Sequence, residues 1–173
     1  AIQLVREETA RDLPEVIRVD DLLESIVSEL REQGLALELT DTARVCVKVN
    51  RLALSRALRN LLINAATHGV RGTVSLSGGK TARITISDQG PGIDPGVIDQ
   101  IFEPFFRAER ARHQKFPGAG LGLSIAREII TREGGSIEIA NAADGGLIQV
   151  VELPTTGDRS ASTETKIVTT SRA

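Results

Sequence analysis

The chain alternates between stretches whose hydrophobic residues recur every three or four positions and stretches where they recur every second position. In DDLLESIVSELREQG (20–34), Leu22, Leu23, Ile26, Val27 and Leu30 share one stripe that stops at Gly34, which predicts an amphipathic helix. RLALSRALRNLLINAATHG (51–69) and LGLSIAREIITREGG (121–135) predict two more helices with glycine stops. LALEL (35–39), ARVCVKV (43–49), GTVSLS (72–77), ARITIS (82–87), SIEIANA (136–142) and LIQVVELP (147–154) predict strands. Gly78-Gly79 and Asp144-Gly145-Gly146 are suited to close two of these into hairpins. VIDQIFEPF (97–105) reads as a short helix, and 107–119 as an irregular connection. The sum is an α+β fold, a sandwich of two layers with helices covering one face of a mixed, mostly antiparallel sheet.

Composition narrows the class. A chain of 173 residues, 40% hydrophobic and 25% charged, is long enough to bury one sizeable core and unlike a disordered or collagenous sequence. A net charge of -2 gives no global attraction to nucleic acid or to an anionic membrane, so neither is expected as a partner of this domain. Any anion must be held by local arrangement. The lone Cys46 cannot form an internal disulfide and reads as a small apolar residue. The last twenty residues, PTTGDRSASTETKIVTTSRA, hold nine Ser or Thr without apolar period and are expected to form a disordered tail. The start at Ala1 rather than Met is expected of a piece of a longer protein.

Three stretches suggest chemistry. On the helix 51–69, Asn60, Asn64 and His68 drift by about 40° per step and form one polar stripe, about 100° round from the apolar stripe of Leu54, Leu58, Leu61 and Ala65. Amides beside a core edge read either as solvated groups or as oxygen ligands for a hard cation such as Mg²⁺. In DQGPGI, Asp88 follows a strand and Gly90 and Gly92 let the backbone approach a flat ligand; a carboxylate there can accept from an exocyclic amine, although the same residues also make a plain turn. GAGLGL (118–123) opens a helix, where successive N–H groups and the helix dipole suit a phosphate, and reads equally as a hinge.

Taken in order, RNLLINAATHG, DQGPGI, FEPFFR and GAGLGLSIAREI resemble the N box, first glycine box, F box and second glycine box of the catalytic ATP-binding domain of sensor histidine kinases. That family shares its superfamily with gyrase, the heat-shock chaperone ATPases and the mismatch-repair ATPases. The resemblance covers residues 20–154 and implies the two-layer Bergerat ATP-binding fold. Residues 1–19 would be a linker or the end of a preceding dimerisation helix, 20–154 the catalytic domain and 155–173 the tail. It further implies ATP and Mg²⁺ as ligands: Asn64 holding the metal, Asn60 bonding phosphate or metal waters, His68 beside the nucleotide and Asp88 reading the adenine amine. Gly90, Gly92 and Ile93 would border the base, and Gly118, Gly120, Leu121, Gly122 and Leu123 would wrap the phosphates, with Phe105 also at the nucleotide.

All four phenylalanines of the chain lie in residues 102–116, the connection between the glycine boxes. It is expected to be a lid, with Phe102, Phe105 and Phe106 pinning its first end and Phe116 its second. Arg107, Arg110, Arg112 and Lys115 oppose only Glu103 and Glu109, a local excess of two positive charges, and Arg107 and Arg110 are the preferred contacts to the terminal phosphates. Asn60, Asn64, Arg107 and Arg110 thus form the expected catalytic set.

The ATPase branches carry a glutamate four residues before the metal asparagine to orient water; here Asn60 occupies that place, so transfer to a histidine is favoured over hydrolysis. The acceptor is absent, since the chain's histidines are His68 and His113 and no H-E-x-x-x-P segment occurs. The resemblance therefore implies partners: a separate dimerisation and phosphoacceptor domain, a response regulator and a homodimeric full-length protein, this part being a cytoplasmic domain of an inner-membrane sensor. Two positions depart from the pattern: Thr67 replaces a phosphate-reaching basic residue, and Val49-Asn50-Arg51 replaces G-D-P. The alternatives are a nucleotide-responsive module without phosphotransfer and a serine kinase of the anti-sigma type; the F box and Asn60 speak against the latter.

Overall fold

The computed structural model describes residues 13–106 and 120–156. Its elements are β1 (Glu15–Arg18), α1 (Val19–Glu32), β2 (Leu37–Thr42), β3 (Cys46–Val49), α2 (Arg51–His68), β4 (Gly72–Ser77), β5 (Thr81–Asp88), α3 (Gly122–Arg132), β6 (Ser136–Asn141) and β7 (Leu147–Pro154). Five strands form one sheet in the order β2-β4-β5-β7-β6, with only the β2–β4 pair parallel. The hydrophobic periods decide which face is covered. Leu147, Gln149, Val151 and Leu153 on β7 and Ala82, Ile84 and Ile86 on β5 point inward, against Leu54, Leu58, Leu61 and Ala65 of α2. α1 adds Leu22, Leu23, Ile26, Val27 and Leu30, and α3 adds Ala126, Ile129 and Ile130. The expected α+β sandwich is the observed one.

Helix α2 starts where Asn50 Oδ1 accepts from Ala53 N at 2.9 Å, an N-cap of the kind that stabilises a helix by about 1 kcal/mol. Asn50 N in turn donates to Glu133 Oε2 at 2.9 Å, tying the start of α2 to the end of α3. The departure from G-D-P at this turn therefore leaves the helix properly begun.

Three expectations need correction. Residues 15–18 are a strand, β1, paired antiparallel with β3 from Glu15↔Val49 to Arg18↔Cys46, so the folded unit begins before residue 20. Four residues between charged neighbours carry too little period to be read alone, although Ile17 is buried as part of the common core. At the other end, Thr155 bridges to Val47 and Thr156 N donates to Cys46 O at 3.0 Å, which carries the fold past Pro154. Finally, VIDQIFEPF forms only a 3₁₀ turn over Ile98–Gln100: its apolar residues are spaced for a helix, but Pro104 cannot sit inside one and Phe105 takes a left-handed backbone, φ 67. The rest of the expected tail and the connection 107–119 lie outside the described residues.

One core residue breaks the apolar pattern. Gln149 is 0% exposed, its Nε2 reaches Leu61 O only at 3.5 Å, and its Oε1 has no partner among the described residues. A buried acceptor left unpaired costs about 1–3 kcal/mol. Gln149→Met, of similar volume and without polar atoms, is expected to raise the unfolding midpoint by several degrees, as a denaturation scan will show; an unchanged or lower midpoint would mean the amide is satisfied.

Candidate functional site

The C-terminal half of α2 is a wall shared by the amide stripe, the acidic bend and the first turn of α3. Asn60, Asn64 and His68 are half-buried along it, beside the fully buried Leu61 and Ala65, as the helical period requires. Asn60 Nδ2 donates to Gly122 O at 3.3 Å, and a Cβ built on Gly122 would stand 3.8 Å from Asn60 Cβ, so the first turn of α3 lies directly on the amide stripe. At the other end of α2, the chain turns at Gly69 onto β4 and meets the end of β5. A Cβ at Gly69 would fall 2.1 Å from Asp88 Cβ, and one at Gly90 would fall 2.8 Å from His68 O. One helix thus touches the acidic bend with its last turn and the glycine-lined mouth of α3 with its middle.

Asp88 is 7% exposed and held from two sides: its Oδ1 accepts from Gly90 N at 2.9 Å and from Leu147 N at 3.2 Å. These bonds use one carboxylate oxygen and leave Oδ2 as an acceptor set at the end of a strand. Gln89 N donates to Gly69 O at 3.1 Å, fixing the bend against the end of α2. Beyond the bend, Gly92 and Ile93 are half-buried, and Ile93 is bonded through its backbone to Asn141 at the end of β6. A buried carboxylate with a fixed direction, flanked by backbone close enough to touch a planar group, can accept from an amine.

The opposite end carries the anion-binding features. Leu121, Gly122 and Leu123 are half-buried in the first turn of α3, whose free N–H groups favour a negative ligand. Ser124 Oγ donates to Leu121 O at 2.9 Å. Phe105 N donates to Gly120 O at 3.1 Å, so the two ends of the connection between the glycine boxes are joined through backbone. Phe102 is half-buried, with the Arg127 guanidinium 4.9 Å from its ring centroid, and Phe106 is also half-buried. Phe105 departs from the expectation of a pinning side chain: it is 65% exposed at φ 67, a left-handed turn that directs the ring outward while its amide makes the tie.

Several expected contacts can be placed and others cannot. Arg107, Arg110, Arg112, Lys115, Phe116 and Gly118 lie outside the described residues. Thr67, the departure from a basic residue, donates its hydroxyl to Ile63 O at 2.7 Å along its own helix, a bond that does not lead toward a phosphate. Among the described residues no group of three or more His, Cys, Asp and Glu could hold a metal. The side-chain oxygens of Asn60 and Asn64 are hard donors of the kind that Mg²⁺ accepts. Asn141, Leu147, Gly69 and Gly146 shape the site but were not singled out in the sequence. The glycine-rich turn before Leu147 was the available signal, read there only as a hairpin.

Comparison with known proteins agrees with this geometry. Residues 49–157 match the family described as histidine kinase-, DNA gyrase B-, and HSP90-like ATPase. The chain is 34% identical to sensor histidine kinase GtrS of Pseudomonas aeruginosa over 158 residues, 91% of this chain and 32% of GtrS. It is 35% identical to histidine protein kinase SaeS of Staphylococcus aureus, covering 81% of this chain and 43% of SaeS. The chain thus spans less than half the length of these relatives. Among solved structures, the mycobacterial sensor histidine kinase MprB superposes with a TM-score of 0.71 at 27% identity, over 83% of this chain and 98% of that one. The histidine kinase domain of the E. coli osmosensor EnvZ gives 0.66 at 28% identity, over 90% and 98%. The order of boxes, the two-layer sandwich and these likenesses agree: the chain belongs to the histidine kinase-, DNA gyrase B- and HSP90-like ATPase family, as a catalytic ATP-binding domain of the histidine kinase type.

Proposed function

We propose that this domain binds Mg-ATP between α2, the Asp88 bend and the mouth of α3, and donates the γ-phosphoryl group to a histidine on a separate dimerisation and phosphoacceptor domain. The reading is carried by one observation: a single helix wall contacts both the buried carboxylate through Gly69 and the glycine opening of α3 through Asn60. Asp88 Oδ2 accepts from the adenine amine, with Gly90, Gly92 and Ile93 against the base and His68 beside it. Gly120, Leu121, Gly122 and Leu123, together with Gly118, border the phosphates. Asn64 offers its side-chain oxygen to Mg²⁺, while Asn60 orients phosphate or metal-bound water. The metal, when bound, neutralises charge on the phosphate oxygens.

In the transfer, an imidazole nitrogen of the acceptor attacks the γ-phosphorus, the bond to the bridging oxygen breaks and ADP leaves. The residues of this chain position and stabilise rather than react. Asn60, an amide, has no basic site to take a proton from water, which favours phosphotransfer over hydrolysis. Arg107 and Arg110 supply cations to the terminal phosphates, and Phe105 lies at the lid's start. The intact protein would be a homodimer that passes the phosphoryl group to a response regulator. Its catalytic part would be cytoplasmic and carried by an inner-membrane sensor; among the described residues no helix is long and apolar enough to cross a membrane.

Two assays test this. Labelled ATP with Mg²⁺ and a phosphoacceptor domain added in trans should label that domain, and no label would limit the protein to nucleotide binding. Asn64→Ala should keep most of the ATP-dependent thermal shift measured without Mg²⁺ while losing the additional shift that Mg²⁺ brings. A metal-dependent shift equal to that of the unaltered protein would remove Asn64 from the metal site.

A further inference from the structure

The β6–β7 hairpin grips the proposed base-binding loop at two points. On one side Leu147 N holds Asp88, as described above. On the other, Asn141, the last residue of β6, makes a two-way bond to a single residue of the loop: Ile93 N donates to its Oδ1 at 2.8 Å, and its Nδ2 donates to Ile93 O at 2.7 Å. The pairing bridges residues far apart in the chain and satisfies both backbone groups of Ile93, as a strand partner would. Gly92 has φ 73, and a Cβ there would stand 2.6 Å from Asn141 Oδ1, so the amide also occupies the space that glycine leaves. Asn141 is itself exposed, and its neighbours Ala140 and Ala142 do not bond the loop through side chains. The loop 89–97 has no strand or helix of its own, and among the described residues its other ties cluster at its two ends, where Gln89 N donates to Gly69 O, Gly90 N donates to Asp88 Oδ1 and Val97 O accepts from Gln100 N.

We infer that Asn141 is a positioning residue for nucleotide binding, holding Gly92 and Ile93 in the conformation that receives the base. The inference rests on the reading of this site as an ATP site. A loop that must be ordered by its ligand binds more weakly than one already ordered, so the clamp acts by removing that cost. The functional part is the pair of bonds, one accepted and one donated, and asparagine supplies both from one planar group.

Aspartate at this position separates the two bonds. Ionised, it still accepts from Ile93 N but sets an oxygen against Ile93 O; protonated, it can donate there again. Repulsion by the carbonyl favours the neutral form and raises the carboxyl's pKa, so donation returns as pH falls. ADP binding by calorimetry on the whole chain is the probe, each variant being compared with the unaltered protein at the same pH. Asn141→Ala is expected to weaken ADP about tenfold, a loss of about 1.4 kcal/mol, while its unfolding midpoint without nucleotide stays close to that of the parent. Asn141→Asp should show a similar deficit at neutral pH that shrinks toward pH 5. That acid recovery would show that the bond donated to Ile93 O, rather than side-chain volume at position 141, sustains affinity, and an unfolding midpoint that falls together with affinity would mark a contact that acts only on stability. Binding by Asn141→Ala within twofold of the parent would overturn the inference, as would amide exchange of Ile93 in the unaltered protein as fast as in a free peptide. Failure of the unaltered protein to bind ADP would instead strike the nucleotide reading.

Discussion

Replacing Asp88 with alanine is expected to abolish the ATP-dependent rise in unfolding temperature. The carboxylate is almost fully buried, so its hydrogen bond to an amine forms in a poorly solvated place where charge-assisted bonds contribute about 2–3 kcal/mol. A loss of that size weakens binding by roughly a hundredfold. At a ligand concentration of about 100 times Kd, the parent gains about 2.7 kcal/mol from binding, and after a hundredfold loss the gain falls to about 0.4 kcal/mol. Alanine also frees Gly90 N and Leu147 N, so a second variant is needed to divide recognition from loop order. Asp88→Asn serves, because its oxygen can still accept from both amides while its nitrogen replaces Oδ2 and opposes the base amine, donor against donor. Both variants should lose the shift, the asparagine one with little change in stability without nucleotide. A full shift surviving in either would remove Asp88 from base recognition.

The second large effect concerns folding. Gly145 and Gly146 are consecutive in the β6–β7 turn and both have positive φ, 93 and 86 respectively. Their surroundings differ. A Cβ at Gly145 finds its nearest neighbour at 3.8 Å, whereas one at Gly146 would be 1.9 Å from Asp88 O and 2.7 Å from Asp88 C. Gly145→Ala therefore carries only the left-handed backbone penalty, about 1–2 kcal/mol. Gly146→Ala adds a collision with backbone that is itself paired in the sheet, and is expected to cost about 4 kcal/mol or more. For a domain of this size each kcal/mol lowers the midpoint by about 2–4 °C, so the two variants should differ by roughly 5–10 °C in a thermal scan. Equal losses would mean that the hairpin does not press on Asp88. The comparison also reports on function, since whatever moves Asp88 O moves the carboxylate.

Much of this was legible from the chain alone. Hydrophobic period predicted α1, α2 and α3 and six of the seven strands; it is a direct record of burial in the helices and in β4, β5 and β7, whereas β6 only half-buries Ile137 and Ile139 and β2 buries Leu37 alone. Strand β4 begins and ends where the alternation does, at Gly72 and Ser77, and pairs with β5 over that whole length, from Gly72↔Asp88 to Ser77↔Arg83. The amide stripe of α2, the acidic bend and the glycine-lined opening were also visible, as was the family that carries them in that order.

Strand β1 could not be read, because four residues are too few for a period and their pairing with β3 is a long-range event. The helix expected at 97–105 failed although its apolar residues are spaced for one and Ile101 is buried: Pro104 and the left-handed backbone of Phe105 stop it. The outward turn of Phe105 reflects a backbone tie to Gly120 that no local pattern announces.

The sequence by itself determined the type and order of the elements and the kinds of groups at the site, because burial period and residue chemistry are properties of segments. Only the tertiary structure decided which hands hold Asp88 and Ile93. Leu147, Gly146 and Asn141 act there through backbone amides, missing side-chain volume and a planar amide brought from about fifty residues away. Such contacts depend on where strands cross and how closely they pass, and a one-dimensional pattern carries no measure of that distance.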